Sequence, residues 1–111
     1  MHVNGSIAGK VYSTNTDENY TIPADAFCFI STASLSTNRT LTLPTLTAGV
    51  TDGRVLYIRN AATSGSYGWN ITAASGNSFS MTSEYGNPLV REEGMVLVAN
   101  GTTWYMIANA F

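Results

Sequence analysis

The chain reads as an all-β protein, a compact antiparallel β-sandwich or barrel, and three observations predict it. Short runs of alternating apolar and polar residues dominate, each closed by turn residues, which is the pattern of sandwiches and barrels. Gly, Thr, Ser and Asn recur every few residues, and all are poor in helix interiors, so no helical period emerges. Charged residues make up only 11% of the sequence, against a usual value of about 25%. The polar surface is therefore mostly Ser, Thr, Asn and Gly, which suits β-structure and lateral packing. At 111 residues one domain is expected, of modest stability unless a partner buries more surface.

The first strand is expected at Ser6–Tyr12 and the second at Ala26–Ser31, where Cys28 stands between Phe27 and Phe29 as a small buried thiol. In Arg39–Leu43, Leu41 and Leu43 point one way and Thr40 and Thr42 the other. Pro44 has no amide hydrogen for a ladder, so it ends that strand or places it at an edge. Asp52-Gly53 turns the chain into Arg54–Asn60. There Val55, Tyr57 and Arg59 share one face and Leu56 and Ile58 the other, so a central strand covered on each side is expected.

Trp69–Thr72 follows a Gly-rich stretch, with Tyr67 and Trp69 on one face. Arg91, Glu92, Glu93 and Gly94 mark a charged turn before Met95–Asn100. Asn100-Gly101 is a pair that tolerates positive φ, and it joins this strand to Thr103–Ala108 as a hairpin. In that last strand Trp104 and Met106 share one face, Tyr105 and Ile107 the other. Core packing accounts for one of these faces, and the second calls for another sheet or another subunit. No internal repeat is convincing, although "LYIRN" and "VLVAN" end alike.

The residues that do chemistry are scarce. His2 is the single histidine and Cys28 the single cysteine, too few for zinc or for a base-activated nucleophile. No Gly-rich phosphate cradle occurs. Asp17, Glu18 and Asn19 cluster without EF-hand spacing, and a solvated turn is the expectation there rather than a calcium site. Neither a metal nor a cofactor nor an enzymatic activity is expected. A net charge of −2 with pI near 5.0 leaves no basic footprint for nucleic acid. No apolar run approaches the ~18–20 residues of a membrane helix, and the first residues do not have the form of a signal peptide. Asn-x-Thr sequons at Asn19, Asn38, Asn70 and Asn100 are taken as compositional.

The order of pieces resembles a β-rich module of tailed-bacteriophage structural proteins. "TLTLP" at 40–44, the "G…GR" turn at 49–54, the strand ending at Asn60, "IT" at 71–72 and "NGTTWY" at 100–105 carry the likeness. It spans about Asn19 to Asn109. The resemblance implies a virion protein, often trimeric, and supplies no catalytic residues. Fibres carry a long shaft, and none is present here, so the expectation is a capsid decoration (cement) protein. It would be made in the host cytoplasm and bound outside the shell to the major capsid protein. Residues 1–18 would form an arm and 19–111 the domain. Shell contact is then expected at Val3, Asn4, Ile7 and Lys10, and packing between the subunits of a homotrimer at Tyr57, Trp69 and Trp104. The alternative is a short fibre or host-adhesion module, with Tyr67 and Trp69 stacking on a cell-surface glycan.

Overall fold

The computed structural model describes residues 9–81 and 87–110. Among them are no helices and nine strands: β1 Lys10–Thr14, β2 Tyr20–Thr21, β3 Ala26–Ser31, β4 Arg39–Thr42, β5 Val55–Asn60, β6 Trp69–Thr72, β7 Ser78–Ser80, β8 Gly94–Asn100 and β9 Thr103–Ala110. They form a six-stranded sheet in the order β1-β3-β5-β8-β9-β7 and a three-stranded sheet in the order β2-β4-β6. The all-β expectation holds.

The expected antiparallel arrangement does not. From β1 to β6 successive strands enter alternate sheets, so the chain winds as three coils, each adding one strand to each sheet. Strands of neighbouring coils pair in parallel. Only β5–β8 and β8–β9 are antiparallel, while β7 joins β9 in parallel. Alternation of apolar and polar residues marks a strand with one covered face, and it is the same whichever way the partner runs. The Asn100-Gly101 hairpin is present, with Asn100 opposite Thr103 and Gly101 at φ 64°.

Winding makes an internal repeat that linear inspection misses. Tyr20, Leu41 and Ile71 stand side by side, as do Thr21, Thr42 and Thr72. "YTIP", "LTLP" and "ITAA" are therefore one step of three coils, 21 and then 30 residues apart. In the larger sheet Val11, Cys28 and Tyr57 align, 17 and then 29 residues apart. Loops of unequal length between the strands erase any fixed period.

Each coil leaves the larger sheet by the same device. Thr14, Ser31 and Asn60 share a register position. Each turns its side-chain oxygen onto the amide two residues ahead, at Thr16 (3.3 Å), Ala33 (3.3 Å) and Ala62 (3.1 Å). Such local bonds compete with the ladder and bend the chain out of the strand. Asparagines bind coil to coil on the other side: Asn19 Oδ1 accepts from the Thr40 amide and Asn38 Oδ1 from the Gly68 amide, both at 2.9 Å.

The inner faces of the two sheets share one core. Phe29, Leu56, Ile58, Leu97, Trp104 and Met106 come from the larger sheet, and Leu41, Trp69 and Ile71 from the smaller. The Phe29 ring meets Trp69 edge-on, with centroids 6.2 Å apart. Each such side chain contributes about 1.5–3 kcal/mol by leaving water. The Trp104 indole N–H donates to the Pro44 carbonyl at 3.0 Å, tying the final hairpin to the "TLTLP" step. At the outer edge of β6, Trp69 and Leu89 exchange backbone bonds of 3.0 and 2.8 Å, and Asn87 bonds both backbone groups of Ile71.

Two further expectations change. The boundary placed after residue 18 falls inside the fold, because β1 pairs with β3 and Asp17 is bonded to Arg39. Strand β5 is central in its sheet, between β3 and β8, but it is covered on one face only. Leu56, Ile58 and Asn60 are buried, whereas Tyr57 and Arg59 are exposed.

Candidate interaction surface

The uncovered face of β5 belongs to a larger apolar surface. Register places Val11, Cys28, Tyr57, Val96 and Ala108 in one row across β1, β3, β5, β8 and β9. Val55, Val98 and Tyr105 form a second row beside it. A bulge in the β8–β9 pairing leaves Ile107 without an opposite residue, between Met106, which faces Leu97, and Ala108, which faces Val96. Ile107 shares the open face with Tyr105 by alternation, and the bulge brings Ala108 into register with Val96 beside it. Val11 is 55% exposed, Tyr57 43%, Tyr105 44% and Ile107 60%. The Phe27 ring leans on Tyr57 with centroids 5.1 Å apart. Five strands about 4.8 Å apart and roughly six residues long give a footprint of about 400 Å². That matches the largest apolar patch of an ordinary soluble monomer, commonly a functional one.

One end of this face is charged. Arg59 follows Tyr57 on the same side of β5 and is exposed. The turn before β8 lies beside it, since Asn60 accepts from the Glu92 amide (2.7 Å) and donates to the Glu93 carbonyl (2.9 Å). Glu92 is exposed and holds φ at 69°, a left-handed conformation that costs a non-glycine residue about 1 kcal/mol. Among the described residues the one ion pair is Arg39–Asp17, so Arg59 and Glu92 have no ion-pair partner among those residues.

The other residues singled out from the sequence fall as follows. Tyr57 lies at the centre of the open face. Trp69 and Trp104 do not reach it: both are completely buried in the chain's own core, so they fill that core instead of packing against a neighbouring subunit. Lys10 opens β1 and is exposed, its ammonium 5.7 Å from the Tyr12 ring centre. Val3, Asn4 and Ile7 lie outside the described residues, as does His2. Tyr67 is exposed while Trp69 is buried, so the two rings form no common platform for a sugar. Cys28 is half-buried on the open face, and burial pushes its thiol pKa up, away from the reactive thiolate.

The acidic cluster serves the fold. Asp17 accepts from Arg39 Nε at 2.9 Å, from Ser36 Oγ at 2.6 Å and from the Ser36 amide at 3.1 Å. The Arg39 and Ser36 bonds hold its carboxyl at about 2. Asn19 is spent on Thr40. Among the described residues no group of three or more His, Cys, Asp or Glu could hold a metal ion.

Alternation in "TTWYMIAN" already marks Tyr105 and Ile107 as a second face. Val11 and Glu92 carry no comparable signal, because their importance comes from pairing with distant strands. Compared with known proteins, the chain matches no family model, no curated sequence and no solved structure.

Proposed function

We propose that the chain is a non-enzymatic structural protein of a tailed-bacteriophage virion. In this reading it is a capsid decoration (cement) protein that binds the major capsid protein on the outside of the shell and reinforces it. The observation that carries this is the open apolar face of the larger sheet, a surface that gains free energy by being covered. The two sheets on their common core are read as a compact sandwich, and a homotrimer as the working form.

A protein that binds only the assembled lattice stabilises it by mass action. Linked copies multiply modest contacts through effective concentration. Contacts made by Ser, Thr, Asn and aromatic groups lose little when salt screens charge. Exposed Tyr67 favours a second reading, adhesion to a host surface glycan, though with one ring instead of two. Sedimentation with purified empty capsids of the encoding phage separates the two. Cement predicts that the chain pellets with the shells and raises the temperature at which they open. Adsorption to host cells with no binding to shells would replace cement by adhesion.

A further inference from the structure

We infer that the open face of the six-stranded sheet is covered by another copy of this chain running in the same direction, with Arg59 of one copy paired to Glu92 of the next. This specifies the surface behind the homo-oligomer proposed above and rests on that part of the reading, not on shell binding.

The face itself dictates what can cover it. Its interior is apolar, built from Val11, Tyr57, Val96, Val98, Tyr105 and Ile107. Its one cation on β5, Arg59, stands at the end where β5 meets the turn into β8. A partner must therefore bring apolar groups to the middle and a carboxylate to that end. The chain meets both demands itself. Glu92 sits at the level of Arg59, through the bonds of Asn60 to Glu92 and Glu93, and it is exposed and without an ion-pair partner among the described residues.

Same-direction packing, by a two-fold or three-fold axis along the strands, keeps all copies of this end together and brings Arg59 to a neighbour's Glu92. Opposite-direction packing separates them and brings Arg59 instead to the end that holds Arg54, where the Asp25 and Asp52 carboxylates already accept from the Tyr12 hydroxyl and the Gly101 amide. The left-handed backbone at Glu92 adds a second feature at this end: a glycine would serve the turn better, yet an exposed carboxylate with no ion-pair partner among the described residues occupies it.

Sedimentation velocity on the full chain over a range of concentrations tests this. The wild type is expected to associate, and Tyr57→Asp to leave a folded monomer. Arg59→Glu should weaken association by roughly tenfold or more, as for close charge pairs at interfaces, and the swap Arg59→Glu with Glu92→Arg should restore it. Glu92→Gly should weaken association while leaving or improving the thermal stability of the monomer, which separates a lost contact from a lost fold. A wild type that stays monomeric overturns the inference together with the homo-oligomer. A stable oligomer indifferent to Tyr57→Asp and to Arg59→Glu overturns the face alone. Failure to bind capsids would leave the inference standing and remove only the cement role.

Discussion

Asp17 illustrates how a single side chain can hold two coils. It lies in the loop between β1 and β2, and its carboxylate is bonded to Ser36 and Arg39 on the next coil. Its folded pKa, about 2, lies below the ordinary 3.8. A depressed carboxylate contributes stability above its unfolded pKa and loses it as pH falls through the folded one. The contribution is therefore complete above about pH 4 and fades toward pH 2. Asp17→Asn should unfold at lower urea than the wild type at pH 6, and the two midpoints should draw together as pH falls toward 2. The residue types are legible in the sequence. That its acid is committed to Arg39, 22 positions away, follows only from the winding.

At the level of elements, what each strand covers decides its tolerance. Strand β6 is flanked by β4 and by Leu89, and Gly68, at the entry to β6, is pressed against that second neighbour. A Cβ on Gly68 would stand 2.5 Å from the Leu89 carbonyl oxygen and 3.0 Å from the Val90 nitrogen. Both are backbone atoms, which cannot swing aside. Gly68→Ala should therefore cost about 1–3 kcal/mol, the range for overpacking, read as a lower denaturation midpoint with unchanged far-UV dichroism. Strands β3 and β6 match their sequence-derived bounds, because an apolar run between turn residues leaves little room for error. Strands β2 and β7 went unseen. At two and three residues they are too short to show a period, and they exist because neighbours pair with them. Pro44 did end its strand, and Leu43 donates the last rung to Thr72.

The whole molecule behaves as a short stack of coils closed at one end. The β8–β9 hairpin and β7 complete the larger sheet beyond β5, and Asn87 and Leu89 occupy the outer edge of β6. At the other end β1 and β2 are both edge strands. In stacked repeats stability is mainly a sum over neighbours, so terminal units open first. Amide exchange should therefore be fastest in β1 and β2 and slowest in β5 and β8, each of which has a strand on both sides. Uniform protection across the sheet would contradict this picture. Because pairing between coils joins residues 16 to 30 positions apart, and β5 pairs with β8 across 35 to 43, folding should also be slow for a chain of this size.

The sequence by itself located seven of the nine strands, the first of them several residues too early, the turn residues that separate them, and one buried face for most of them. Leu41 and Leu43, Leu56 and Ile58, and Trp104 and Met106 all point inward as their alternation requires. Tertiary structure decided the direction of pairing, the sheet each strand joins, and which aromatic rings remain outside. The physical reason is that a period of two specifies a covered face through side chains, whereas pairing is made by backbone groups common to every residue. Trp69 and Tyr57 look alike in the sequence, and only the position of the opposing sheet buries one and leaves the other open.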